Sequence, residues 1–260
     1  MTQPLPLALP KVWPSTVKVI FSDIDDTLTW KGRLPVETFQ ALQRLKEAGI
    51  RVIPVTGACA GWADCIVRTW PVDTVIAENG SFWMERNDEG FVERHFMEKP
   101  EDRAQYLEQL QKIAEEFHST FPQINFTEDQ NFRLTDIAFD IGQQVKIEAE
   151  QARQAAQWWS KKGLNARLSS IHINVWAGSY TKAKTSQKWL ENHPDIHADD
   201  CIFIGDSLND DTMFQQYQHS VGVANISPYL EDLVHMPQYI TSQNGGYGFC
   251  QLADCILSAV

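Results

Sequence analysis

Val17-Lys18-Val19-Ile20-Phe21-Ser22-Asp23-Ile24-Asp25-Asp26-Thr27-Leu28 runs from an apolar stretch straight into carboxylates. Cys201-Ile202-Phe203-Ile204-Gly205-Asp206-Ser207-Leu208-Asn209-Asp210 repeats the pattern late in the chain. Short apolar runs such as Val17–Phe21 and Cys201–Ile204 read as buried strands of a parallel sheet. Their aspartates then emerge at the carboxyl edge, where open α/β sheets place ligands. Two unit charges about 4 Å apart repel by roughly 4 kcal/mol at an effective dielectric near 20, so several carboxylates in one site call for a cation or shifted pKa values. Hard oxygen ligands with open positions suit Mg²⁺, which usually shares its shell with a phosphate. The pattern implies metal-assisted phosphoryl transfer. An EF-hand loop is excluded, because counting from Asp23 the sixth position is Leu28 and the twelfth Leu34.

Around these segments strand and helix signals alternate. Pro35–Ala48 reads as a helix stopped by Gly49, Ile50–Val55 as a strand, Ala63–Trp70 as a helix and Val72–Ala77 as a strand. The alternation resumes late in the chain with helix Thr181–Asn192, strand Cys201–Ile204, helix Asp210–Gln216, strand Ser220–Val223 and a closing helix from Gly248. The middle differs. A hairpin, Phe82–Glu85 with Gly90–Phe96, precedes a long helix at Glu101–Ser119; strand Leu134–Asp140, helix Lys146–Lys162 and a pair of antiparallel strands, Ala166–Leu168 and Ile171–Trp176, follow. This predicts an α+β module, residues 86–178, inserted into a parallel-sheet core made of residues 1–85 and 179–260.

The 260 residues fit that two-part organisation. A formal net charge of −12 argues against a nucleic-acid partner. The five cysteines are odd in number and form no C-x-x-C pair, so reduced thiols are expected. No apolar run approaches a membrane span, and Met1–Ser15, with four prolines, lacks the layout of a signal peptide. A cytoplasmic enzyme without a membrane partner is the expectation, with the Pro-rich start as an extended arm.

At these residues the chain resembles the haloacid dehalogenase-like superfamily of phosphatases, and more narrowly its Cof-type, sugar-phosphatase-like members with a large α/β cap. Asp23-x-Asp25-x-Thr27 matches the first motif, Thr56 in Val55-Thr56-Gly57 the second, Lys182 in Gly178-Ser179-Tyr180-Thr181-Lys182 the third, and Gly205-Asp206-x-x-Asn209-Asp210 the fourth. Ala77-Glu78-Asn79-Gly80-Ser81 and Gly245-Gly246-Tyr247-Gly248-Phe249 resemble stretches of the large-cap members. The chain departs from the pattern at Ala58, where an Arg is common, and at Ala183, where a Gly is usual.

The resemblance implies a Rossmann-like core with helices on both faces and a cap. It also implies a phosphatase that hydrolyses a small phosphorylated metabolite such as a sugar phosphate. A phosphomutase uses the same four motifs, and a non-catalytic relative that binds phosphometabolites is the alternative of another kind. By the same resemblance Asp23 is the nucleophile, Asp25 the acid and base, and Thr56 and Lys182 the groups that meet the phosphoryl oxygens. Asp23, Asp25 (through its main-chain carbonyl) and Asp206 hold Mg²⁺, with Asn209 and Asp210 around them. The residues themselves leave other roles open: the first cluster also fits a turn, and the second a helix cap. Asn79 fits a left-handed turn before Gly80 as well as a contact to substrate. Period-two alternation puts Ser170, His172, Asn174 and Trp176 on one strand face, a candidate surface for the substrate's sugar. Of adjacent Trp158 and Trp159, one should pack into the core. Substrate identity and oligomeric state are left open by the sequence.

Overall fold

The computed structural model describes residues 5–13, 16–169 and 171–259. β1 (Leu7–Ala8), β2 (Val19–Ser22) and β3 (Arg51–Pro54) belong to a six-stranded, wholly parallel sheet, with helices α1 (Val36–Glu47) and α2 (Ala60–Thr69) between and after the last two. β4 (Thr74–Ala77) reaches the β3 edge through a parallel bridge from Ile76 to Val55, then pairs antiparallel with β5 (Phe82–Arg86), which pairs with β6 (Val92–Phe96). The chain continues through α3 (Pro100–Thr120), β7 (Ile137–Asp140), α4 (Ala149–Lys161), β8 (Asn165–Leu168) and β9 (His172–Trp176), then α5 (Lys182–Glu191). β10 (Cys201–Gly205), α6 (Asp211–Gln216), β11 (Ser220–Gly222), β12 (Tyr239–Ile240) and α7 (Gly245–Leu257) complete it. The large sheet is ordered β1-β12-β11-β10-β2-β3.

Apolar residues on both faces explain why this sheet is buried. Ile20, Val52, Ile202 and Ile204 join one cluster with Leu42 and Leu45 of α1, Ile66 of α2 and Phe249 and Leu252 of α7. Their neighbours Val19, Phe21, Ile53, Cys201 and Phe203 point the other way, into a second cluster with Trp189 of α5 and Met213 and Phe214 of α6. Successive residues feeding opposite clusters require helices on both sides. All five cysteines are unpaired thiols.

The inserted module has its own sheet, β7-β9-β8, wholly antiparallel. Its core takes Leu110 and Phe117 from α3, Trp159 from α4, and Phe139, Ile173 and Val175 from the sheet. Trp159 is fully buried and Trp158 only partly, as adjacent helical positions dictate. β6 lies beyond the expected boundary at residue 86, yet it pairs with β5 and packs Val92 and Phe96 on the first core cluster. The Pro-rich start is likewise more than an arm, since Leu7 and Ala8 pair with Tyr239 and Ile240 at the sheet edge. Among the described residues no helix is long and apolar enough to cross a membrane.

Candidate active site

Register brings the two acidic segments together. β2 and β10 run parallel with Ser22 opposite Ile204, and the amide of Asp23 donates to the Ile204 carbonyl at 3.0 Å, so both chains leave the sheet side by side. Lys182 opens α5 behind an N-cap, Thr181, whose hydroxyl accepts from the Lys184 amide. Its buried ammonium lies 2.6 Å from Asp23 Oδ1 and 2.9 Å from Asp210 Oδ1. The other oxygen of Asp210 accepts from the amides of Asp206 and Ser207, at 3.1 and 3.4 Å, and so folds the loop that presents Asp206. Gly205 is required here, because a Cβ would collide with the Asp210 carboxylate.

Asp23, Asp206 and Asp210 each bring a carboxylate oxygen within 4.8 Å of the others. One ammonium faces three buried carboxylates. Burial, Asp210 and Asp25 push the Asp23 carboxyl well above its ordinary range, against the pull of Lys182, and burial with Asp23 and Asp210 does the same to Asp206. Burial opposes the charge of Lys182, but Asp210 and Asp23 hold its pKa above that of a free lysine. Such a cluster is short of positive charge.

Of the remaining positions singled out in the sequence, Asp25, Thr56 and Asn209 line the cleft over Asp23 and Asp206. Thr56 Oγ1 accepts from the Ala58 amide at 3.0 Å, leaving its own proton free to donate into the cleft. The cleft encloses about 730 Å³, roofed by the inserted module through Asp129, Gln143, Ser169, Ile171, His172 and Asn174, with Leu34, Trp62, Ile66 and Trp70 as its apolar flank. Ser170 lies outside the described residues. Two expectations do not reach the cleft. Trp176 is buried, its Nε1 donating to the Tyr180 carbonyl and its ring stacked on Tyr180, because the returning chain covers that end of β9. Asn79 has φ of 58°, as a left-handed turn requires, and its Nδ2 donates to Asp136 at 3.2 Å.

That turn marks a junction invisible in the sequence. Buried Glu78 accepts from the amides of Ala60 in the core and Leu134 and Thr135 in the module, and from the Thr135 hydroxyl. The Arg133 side chain, wholly buried, donates through Nη1 to Asp136 and to the Gly57 carbonyl, both at 3.0 Å. A third unforeseen residue is Asn225, whose Nδ2 donates to Asp206 Oδ2 at 3.2 Å and to the Asp26 carbonyl at 3.0 Å, while its Oδ1 accepts from Gly245. Its place just after β11, at the edge where β2 and β10 end, was its only signal.

Strand ends converging on a cleft floored by buried acids and the Lys182 ammonium define a phosphoryl-transfer site on a capped α/β core. A family model for the haloacid dehalogenase-like hydrolases matches residues 20–118 and 81–246, and the chain belongs to that family. It is an enzyme of the family's phosphatase kind. A phosphoglycolate phosphatase of Methanobrevibacter smithii is 25% identical over 234 residues, 89% of this chain and 95% of that one. One from Methanothermobacter thermautotrophicus is 28% identical over 238 residues, covering 90% and 96%. A crystal structure from Thermoplasma acidophilum superposes with a TM-score of 0.71 at 17% identity, over 92% of this chain and 97% of that one.

Proposed function

We propose that this phosphatase is Mg²⁺-dependent, works through an aspartyl-phosphate on Asp23, and acts on a small phosphorylated metabolite of the sugar-phosphate class. The observation that carries the reading is the Lys182 ammonium, held between Asp23 and Asp210 in a cluster of three buried carboxylates. A divalent cation fits a donor set of hard oxygens that a single ammonium leaves under-neutralised. Asp23, Asp206 and the main-chain carbonyl of Asp25 would hold it, with Asp210 and Asn209 supporting. When bound, Mg²⁺ supplies positive charge to the phosphoryl oxygens.

The chain's own residues account for the rest. Asp23 attacks phosphorus and becomes the acyl phosphate, which splits one difficult displacement into two. Lys182 orients the attacking carboxylate and offsets the charge gathering on the phosphoryl group; Thr56 donates its hydroxyl proton to a phosphoryl oxygen. The Asp25 carboxyl gives its proton to the departing alkoxide and then takes one from the water that attacks the acyl phosphate. The module from α3 to β9 acts as the cap, closing the cleft over the substrate. Neutral hydrogen-bonding groups on the roof, Gln143, Ser169, His172 and Asn174, support a polyol leaving group. Phosphoglycolate, named in the archaeal relatives, is the rival substrate.

The test is hydrolysis of p-nitrophenyl phosphate, followed by a panel of sugar phosphates with phosphoglycolate included. Release should stop with chelator and return with Mg²⁺. Asp23→Asn should keep the fold and lose at least about a hundredfold in rate, as expected for a covalent nucleophile. Full turnover by chelated enzyme overturns the metal assignment, and an active Asp23→Asn overturns the covalent route.

A further inference from the structure

The roof of the cleft carries neutral hydrogen-bonding groups and a single carboxylate. Gln143 Oε1 lies 2.9 Å from His172 Nε2; with the amide oxygen as acceptor the ring nitrogen donates, His172 Nδ1 is the acceptor of the ring, and the Gln143 amide nitrogen keeps its two donors. Asn174 is 3% exposed; its buried Oδ1 has no hydrogen-bond partner among the described residues, and its Nδ2 stands beside Gly57. Beside them stands Asp129, the one charged side chain that the described cap residues contribute to the cleft lining. Its Oδ1 accepts from the Thr127 hydroxyl at 2.6 Å and faces Arg133 Nε at 3.4 Å. The Arg133 side chain is wholly buried, with its Nη1 committed to Asp136 and Gly57, so the carboxylate of Asp129 and not the guanidinium is the group that a ligand in the cleft can touch. On the opposite wall the lining's lysine, Lys31, is exposed and sits over the Trp30 ring.

Neutral amide, imidazole and hydroxyl groups can each meet a substrate hydroxyl, which both donates and accepts, whereas the Asp129 carboxylate repels a second acid. Resting on the phosphatase reading, we propose that Asp129 is a specificity-determining residue. With His172 and Asn174 it makes the leaving-group half of the cleft a surface that reads hydroxyls and rejects a second acid. The preferred substrate is then a phosphate ester of a neutral polyol, selected partly by repulsion of its anionic analogues. Burial lowers the His172 imidazole to about 4, followed by the field of Arg133, so near neutral pH it supplies no compensating charge.

Glycerol 3-phosphate and 3-phosphoglycerate form a matched pair, differing only by a terminal hydroxymethyl in place of a carboxylate. With Mg²⁺ present, wild-type enzyme should favour glycerol 3-phosphate in kcat/KM by about tenfold or more, the scale of two like charges several ångströms apart at an effective dielectric near 20. Asp129→Asn should collapse that ratio toward one, chiefly through KM for the acid. Gln143→Glu, a nearly isosteric change at an exposed loop position, should widen it and keeps the proposal testable if the first variant does not fold. Equal use of the two esters by wild-type enzyme, or ratios unmoved in the variants, overturns the charge filter while leaving the phosphatase reading intact. Failure of the wild type on p-nitrophenyl phosphate overturns that reading, and the filter with it.

Discussion

Asn225 shows at the scale of one residue what a motif search passes over. The aspartates were legible because each follows an apolar run and so stands at a strand end. Asn225 follows β11 by three positions and carries no charge or periodic signal, yet one amide side chain joins Asp206, the Asp26 carbonyl and the start of α7. Groups that orient a metal ligand typically change metal affinity by about 10–100-fold when removed. Asn225→Ala should raise the Mg²⁺ concentration for half-maximal activity by about tenfold, with a smaller change in kcat at saturating Mg²⁺. A Mg²⁺ titration that superposes on the wild type would rule this out. Gly80 gives a second case. With φ of 98° and the Thr181 carbonyl directly where a Cβ would stand, Gly80→Ala should destabilise the protein by about 2–4 kcal/mol, measured by urea denaturation.

The strand β9 shows how far a two-residue period reaches. Alternation separates Ile173 and Val175, which enter the cap core, from His172 and Asn174, which line the cleft. It does not say where along a strand a cleft ends, and Trp176, on the same face, is covered by the chain at Tyr180. The same limit explains Asn79: the turn was readable, but its partner Asp136 is 57 residues away. Replacing both His172 and Asn174 by Ala should raise KM for the preferred substrate at least about fivefold, for two lost polar contacts, with a smaller effect on an aryl phosphate. Equal losses on both substrates would mean that the two side chains support the fold instead.

Across the whole molecule the layering was legible, since apolar runs and amphipathic segments alternate, whereas the sheet order was not. β1 and β12 span two residues each, too short for any periodic pattern, and the hairpin of β5 and β6 was readable whereas the core cluster that β6 packs on was not. Global stability should carry the mark of the roof. His172 has a folded pKa depressed to about 4 from 6.5, chiefly by burial. As pH falls from 6.5 the unfolded chain takes up this proton before the folded one does, so the contribution is full above 6.5 and is lost toward 4. Thermal unfolding from pH 7 to 4.5 should therefore show a smaller loss for His172→Gln than for wild type, and parallel curves would contradict the assignment. One further consequence follows from β2 pairing with β10, its partner about 180 residues later. As the chain is synthesised, β7, β8 and β9 can pair as soon as residue 176 emerges, while Asp23 waits for Lys182, Asp206 and Asp210. The roof is thus built before the room beneath it, and pulse-labelled amides of the cap sheet should gain protection ahead of those in β2 and β10 during refolding. Until β10 is made, a nascent chain holds a lid with no catalyst under it.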